Sequence, residues 1–133
     1  MDSLYYKDYK QVTQDVWKWK NFKPKDIACK GDGSILITIE ALDALQSLRD
    51  RLGVPIIVNS AYRSPDHNKN IGGAPNSNHV KGIAFDIRLT KKVTRDKLKQ
   101  EARKCGFKGF GDYNTFVHID LGKERYWDFR SIK

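Results

Sequence analysis

The spacing of apolar positions predicts two helices. Over residues 38–52, leucines recur three and four positions apart, which places them on one face of a helix. Thr38 stands at a plausible N-cap and Gly53 at the C-terminal stop. A second apolar stripe covers residues 94–105 and is followed by Gly106 as terminator. Both helices are expected to bury these stripes in the core.

Short apolar runs and alternation predict three strands. Residues 54–59 are apolar and β-branched, as in a buried strand, while residues 82–89 and 115–121 alternate between two faces. Residues 61–78 are rich in Ser, Pro, Asn and Gly, which predicts a long loop of the kind that usually carries function. The expected fold class is α+β, with a small, mainly antiparallel sheet and helices on one side.

The chain length and composition fit a single domain. It has 133 residues, of which 39% are hydrophobic, and it shows no internal repeat or low-complexity tract. We divide it into an N-terminal basic and aromatic arm, residues 1–21, and a domain of residues 22–133. The arm interleaves aromatics with lysines, which is typical of nucleic-acid or glycan surfaces. Alternatively, Trp17, Trp19 and Phe22 anchor the arm on the core.

The formal net charge is +9, from 25 basic and 16 acidic residues. A basic surface attracts polyanions, which include nucleic acid, anionic membranes and the acidic polymers of bacterial walls. No apolar run approaches the length of a membrane span, and the N-terminus lacks the pattern of a signal peptide. We therefore expect a chain that is made in the cytoplasm and does not cross a membrane.

Two histidines and a carboxylate form the most informative pattern. His79 and Asp86 lie seven positions apart around a strand start, and His118 falls within another strand. Three such ligands with a fourth position open to water are typical of a catalytic zinc site. Cys29 and Cys105 are far apart and are expected to be free thiols, which argues against a cysteine-rich structural zinc site.

Four motifs surround these residues in order and with compact spacing. They are Ser60-Ala61-Tyr62-Arg63-Ser64-Pro65, Ser77-x-His79-x-x-Gly82-x-Ala84-x-Asp86, Gly109-Phe110-Gly111-x-Tyr113 and Phe116-Val117-His118-Ile119-Asp120. Over roughly residues 22–127, the chain resembles the D-alanyl-D-alanine carboxypeptidase/endopeptidase family of zinc peptidases, which includes phage endolysins. The resemblance implies the same α+β fold and one Zn²⁺ per chain.

The resemblance also implies roles for residues near the zinc ligands. Arg63 would face the substrate and stabilise an oxyanion, since its planar fork suits a carboxylate or a developing negative charge. Ser77 would bind substrate or support a zinc ligand, although a hydroxyl that stabilises a turn is equally compatible. Tyr113 would contact substrate. We expect His67 to stabilise its loop rather than to bind metal.

The sequence leaves the identity of the general base open. Relatives place an acidic residue three positions before the last zinc histidine, whereas this chain has Thr115 there. Asp120, two residues beyond His118 on the same strand face, is the nearest carboxylate. It would act either as the catalytic acid/base or by orienting His118. Asp112 and Tyr113 are further candidates for the base.

The resulting hypothesis is a zinc peptidase that acts on stem peptides of bacterial peptidoglycan and is endolysin-like. It would reach the wall after lysis or in a virus particle, as a monomer. The alternative is a wall-binding module that keeps its zinc without cutting, which the residue Thr115 and the positive charge favour. A nucleic-acid-binding function rests on charge and the aromatic arm alone, without a recognisable module. Carboxypeptidase and endopeptidase activity are both open.

Overall fold

A five-stranded sheet carries the candidate ligands in this computed structural model, which describes residues 1–131. Its strand order is β3-β4-β6-β5-β7, and a separate two-stranded sheet pairs β1 with β2. The strands are β1 Ser3–Tyr6, β2 Ile35–Thr38, β3 Val58–Ser60, β4 Ala84–Arg88, β5 Gly109–Asp112, β6 Phe116–Asp120 and β7 Arg125–Asp128. The helices are α1 Pro24–Ile27, α2 Ile39–Leu52, α3 Pro65–Asn70 and α4 Arg95–Lys104, with a 3₁₀ turn at Tyr9–Gln11.

The predicted α+β class is confirmed. All neighbours in the large sheet are antiparallel except β5 and β7, which are parallel. The core lies on one face of this sheet, where Phe85, Val117 and Ile119 pack with apolar residues of α2 and α4. Because side chains alternate along a strand, the opposite face is left for polar groups. None of the helices in residues 1–131 has the length and apolar character to span a membrane.

The two predicted helices form close to their expected bounds. Thr38 is the N-cap residue of α2, and Gly53 ends the helix with a left-handed backbone, φ 69°. A glycine is favoured there because a Cβ makes that conformation costly for other residues. Thr94 precedes α4, and Gly106 follows it with φ 102°.

Two sequence predictions in the middle of the chain were wrong in detail. The strand expected over residues 54–59 is restricted to Val58–Ser60. Pro55 has no N–H to donate to a sheet, and the pairing of β3 with β4 is itself irregular. The loop predicted over residues 61–78 contains α3, which Ser64 caps by accepting the His67 N–H and which Pro65 begins.

The N-terminal residues pack onto the rest of the molecule. β1 pairs along its whole length with β2, Trp19 and Phe22 are buried in the core, and Trp17 is partly buried. The Trp17 indole N–H donates to the Phe22 carbonyl at 2.7 Å. These contacts favour the interpretation in which the aromatics of the arm anchor it on the core.

Candidate metal centre

Strand pairing brings the three candidate ligands together. Asp86 on β4 lies directly opposite His118 on β6, and His79 lies in the turn that leads into β4. One potential ligand atom from each residue lies within 4.8 Å of the other two, and all three side chains are buried. The sheet face opposite the core therefore carries a His-Asp-His cluster.

The loop after β3 holds the ring of His79. Its Nδ1 lies 2.6 Å from the carbonyl oxygen of Ala61, which can only accept, so Nδ1 carries the proton. The backbone N–H of Arg63 donates to the His79 carbonyl at 3.2 Å. Nε2, which lies 3.2 Å from Asp86 Oδ1, is left with its lone pair toward the centre of the cluster.

A buried carboxylate holds the ring of His118. Nε2 lies 2.7 Å from Asp120 Oδ2, and Nδ1 lies 3.1 Å from Asp86 Oδ1. Asp120 is fully buried, and its Oδ1 accepts the Gly122 N–H at 2.9 Å. A proton on Nε2, donated to Asp120, leaves Nδ1 free to bind a metal. This is the arrangement by which a carboxylate orients a metal-binding histidine.

The electrostatics of the cluster favour charged carboxylates. Burial alone would raise the pKa of Asp86, but its contacts with the His118 and His79 rings outweigh burial and hold the pKa well below its usual range. Burial likewise opposes ionisation of His118, yet its bonds with Asp120 and Asp86 raise its pKa. The pKa of Asp120 is lowered because the same bond with His118 outweighs burial. The cluster thus presents anionic oxygen to a cation.

The donor set fits zinc. Ligands placed tetrahedrally at about 2.0–2.1 Å from one zinc ion are roughly 3.4 Å apart. The Asp86 Oδ1 distances to His79 Nε2 and His118 Nδ1, 3.2 and 3.1 Å, are close to that value. Two imidazoles and one carboxylate also leave one tetrahedral position without a protein ligand, as catalytic zinc sites do.

The cluster forms the floor of a cleft of about 690 Å³. Among the described residues that line this cleft, Asp86 is the single carboxylate, while Arg63 and Arg125 supply positive charge. The lining residues are Arg63, Gly72, Gly73, Ala74, Asn76, Ser77, His79, Asp86, Tyr113, Phe116, His118, Arg125, Trp127 and Phe129.

Aromatic side chains form one side of the cleft. The ring of Tyr113 stacks on Phe116 at 4.3 Å between centroids, and the Trp127 indole N–H donates to the Tyr113 hydroxyl at 3.0 Å. The Trp127 ring lies 4.9 Å from the ring of His118. Sequence reasoning missed Trp127, Phe129 and Arg125, although alternation in the segment 125–129 was the signal that could have revealed a strand facing the site.

Two glycines of β5 make room for this arrangement. Gly109 pairs with Asp120 and Gly111 with His118, so both glycines lie on the site face of the sheet. A Cβ at Gly109 would overlap the Asp120 carboxylate, and a Cβ at Gly111 would overlap the indole of Trp127. The strand between β6 and β7 therefore contributes space to the site instead of side chains.

Arg63, Ser77 and Tyr113, the predicted substrate contacts, all line the cleft. Arg63 Nη2 lies 3.6 Å from Asp86 Oδ2, and its Nη1 donates to Asn68 Oδ1 at 3.3 Å. The Ser77 hydroxyl accepts the N–H of His79 at 3.2 Å, which stabilises the turn.

Other candidates lie elsewhere. Asp112 is buried on the core face, where Arg95, Lys99 and Tyr126 donate to it at 2.7 to 2.9 Å. Thr115 is exposed immediately before β6.

The remaining histidine and the cysteines are not part of the cluster. His67 lies in α3 with its ring against Gly31. Cys29 and Cys105 are both free, as expected. Within residues 1–131, then, the three predicted residues form the group that could hold a metal ion.

Comparison with known proteins agrees with this geometry. The chain belongs to the Peptidase M15 family, whose model matches residues 20–120. A curated relative, the zinc D-Ala-D-Ala carboxypeptidase of Streptomyces albus G, is 37% identical over 89 residues, which are 62% of this chain and 34% of the relative. The chain spans about a third of that relative's length. The predicted family is confirmed, and zinc is the cofactor that family and donor set support together.

Proposed function

We propose that the protein is a zinc peptidase that hydrolyses stem peptides of bacterial peptidoglycan next to a D-amino acid. The main support for this proposal is the buried His79-Asp86-His118 cluster at the floor of an open cleft. Support for the substrate comes from the relative's name, a D-Ala-D-Ala carboxypeptidase, and from family membership. The positive charge of +9 suits work on an anionic wall, as in an endolysin.

Zinc held by His79 Nε2, His118 Nδ1 and Asp86 would polarise a carbonyl and make water a better nucleophile. In the reaction, the oxygen of water joins the scissile carbonyl carbon, the C–N bond breaks and the leaving amine takes up a proton. Arg63 lines the cleft beside Asp86, so its guanidinium is placed to donate to the oxygen that becomes negative. Ser77 supports His79 through the turn and also lines the cleft.

Asp120 acts through His118 in this proposal. Its carboxylate is fully buried, bonds to His118 Nε2 and does not line the cleft, so it is poorly placed to take a proton from water there. Of the residues considered as a base, Tyr113 alone lines the cleft. Its hydroxyl already accepts from Trp127, which leaves its own proton available for donation. We assign Tyr113 as the proton-donating group.

A wall-binding module without hydrolytic activity is the second candidate. It is favoured by the exposed Thr115, where relatives place an acid, and by Asp86 being the single carboxylate among the described cleft residues. The two candidates share zinc and the wall as partner, so binding to peptidoglycan does not separate them.

The deciding experiment is digestion of purified peptidoglycan by the zinc-loaded protein, followed by mass spectrometry. A peptidase releases fragments, and their masses identify the bond and separate carboxypeptidase from endopeptidase cleavage. Tyr113→Phe should lower turnover about 10²-fold or more while zinc content is kept. Co-sedimentation with the wall without released fragments would overturn the peptidase assignment and support the binding module.

A further inference from the structure

The two arginines that line the cleft are engaged to different extents. Arg63 has a side chain that is 17% exposed, and it contacts both Asp86 and Asn68. Arg125 is 49% exposed and has one polar contact, Nη2 to Asp120 Oδ2 at 3.4 Å. The Asp120 carboxylate already accepts stronger bonds from His118 and Gly122. Arg125 therefore keeps most of its donors available.

Packing fixes where this guanidinium lies. Its central carbon is 4.6 Å from the centroid of the Trp127 ring, and that ring is 4.9 Å from the His118 ring. One carboxylate, Asp120, separates the guanidinium from the metal-binding histidine. A stacked arginine loses less conformational freedom on binding, and its fork matches a carboxylate.

The charge of the cleft calls for an anionic ligand. Asp86 is the single carboxylate among the described lining residues, and it lies between the candidate metal ligands and Arg63. A divalent ion and two arginines leave this cleft positive. In a peptide cut at its last bond, the free carboxylate lies one residue beyond the scissile carbonyl, about 3.8 Å between Cα atoms. This short separation suits an anchor beside the metal ligands.

We propose that Arg125 binds the C-terminal carboxylate of the substrate and so makes the protein prefer peptides with a free carboxyl end. The inference rests on the proposed function, since it presumes that the cleft takes peptides. It assigns the carboxypeptidase mode to a particular side chain on β7, with Trp127 as the surface on which that side chain is held.

Arg103 provides a matched control. Its side chain is 55% exposed, its guanidinium carbon lies 4.8 Å from the Phe110 centroid, and it pairs with Glu124 at 3.4 Å. It therefore resembles Arg125 in exposure, stacking and ion pairing, but it does not line the cleft. Removal of either charge changes the net charge equally.

The kinetic test compares N-acetyl-D-alanyl-D-alanine with its C-terminal amide. Arg125→Gln should lower kcat/KM for the free acid roughly 10- to 100-fold, mainly through KM, because a charged hydrogen-bond pair is lost. Its effect on the amide should be less than about twofold, and Arg103→Gln should affect neither peptide. Equal losses on acid and amide, or no loss, would overturn the assignment.

A binding test does not depend on turnover. N-acetyl-D-alanine and its amide are titrated calorimetrically into the zinc-loaded wild type, Arg125→Gln and Arg103→Gln, after their zinc content and thermal unfolding have been matched. Zinc can bind a carboxylate by itself, but that contribution is common to all three proteins. A preference for acid over amide that shrinks about tenfold in Arg125→Gln alone supports the proposal.

The experiments distinguish failure of the Arg125 assignment from failure of the proposed peptidase function. An unchanged acid-over-amide preference in Arg125→Gln, or a wild type with no such preference, refutes the role of Arg125 even if the protein hydrolyses peptidoglycan. Absence of hydrolysis by the wild type refutes the peptidase function, while the calorimetric comparison still decides whether Arg125 binds a carboxylate.

Discussion

The floor of the cleft and its β7 side differ in how firmly their side chains are held. On the floor, His79 and His118 are buried, and each ring nitrogen has a polar neighbour within 3.2 Å. On the β7 side, Arg125 is half exposed, and its strand pairs only through β5 within the described residues. Phe129, just after that strand, is 68% exposed. Rigid ligand geometry suits a metal ion, whereas a half-exposed guanidinium keeps hydrogen-bond donors available for a substrate. Under the proposed function, the floor would carry the chemistry and the β7 side would carry the selection of substrate.

The largest expected effect is loss of a ligand from the floor. His79→Ala or His118→Ala should abolish stoichiometric zinc binding and hydrolysis while most of the fold remains, since the core lies on the other sheet face. Zinc per chain, measured by elemental analysis after dialysis, checks this. His67→Ala is the control, because it removes a histidine outside the cluster. A double His79→Ala/His118→Ala protein that still binds one zinc tightly would refute the site.

The next effect concerns what holds the β7 side in place. Asp112 accepts from Arg95, Lys99 and Tyr126, and its carbonyl accepts the Phe129 N–H at 2.8 Å. Asp112→Asn should cost about 3 kcal/mol, the low end for breaking a buried ion pair, because its basic partners are partly exposed. Urea unfolding measures this, with the exposed Asp50→Asn as control. Zinc stoichiometry should not change.

The stabilisation by Asp112 should also depend on pH. Burial would raise the pKa of Asp112, but bonds from Lys99, Tyr126 and Arg95 outweigh it and lower the pKa in the folded state. The stabilisation is therefore fully present above the unfolded pKa of about 3.9 and is lost as pH falls through the lower folded value. Wild type and Asp112→Asn should converge in unfolding free energy at strongly acidic pH. A constant difference between them across that range would contradict the ion-pair explanation.

The next prediction concerns the proposed contact between the Arg63 guanidinium and the substrate. Arg63→Lys keeps the charge but loses the paired donors of the guanidinium. The fall in kcat/KM should correspond to a loss of about 2–4 kcal/mol of transition-state stabilisation. Steady-state kinetics on a short stem peptide measures it. Arg88→Lys at the end of β4 is the control, since Arg88 donates to Asn59 on the surface. Native turnover in Arg63→Lys would make Arg63 structural.

The smallest expected effect concerns Asp120 and separates its two possible roles, which are orienting His118 and acting as the acid/base. Asp120→Asn should weaken zinc affinity roughly 10- to 100-fold, and added zinc should restore part of the rate. Competition with a chelator measures the affinity, and Asp128→Asn on β7 is the control. Full zinc content combined with a large loss of turnover would instead make Asp120 the acid/base.

Local patterns were enough to predict the elements that carry the ligands. The leucine spacing and Gly53 located α2, and alternation located β4 and β6, because each signal lies within the element itself. The ligand set followed from two histidines and an aspartate that lie within motifs resembling those of the zinc peptidase family. Their meeting in space was implied by the resemblance and is produced by the pairing of β4 with β6.

The missed features depend on contacts between distant segments. β5 begins Gly109-Phe110-Gly111, and glycine is a poor strand former, so the segment did not predict a strand. β1 and β7 are short edge strands with exposed residues, which carry little apolar signal. The role of Asp120 was left open because both alternatives place it on the His118 face. Its depth, which only tertiary packing determines, favours the orienting role.

The lack of a side chain at Gly109 leaves room for the Asp120 carboxylate, which lies against the glycine backbone. A single methyl group there would claim the space of the Asp120 carboxylate, which would then release the Nε2 of His118. Zinc affinity should then fall, although residue 109 is not one of the candidate ligands. An alanine at this position would therefore act as a metal-site mutation although it replaces no ligand.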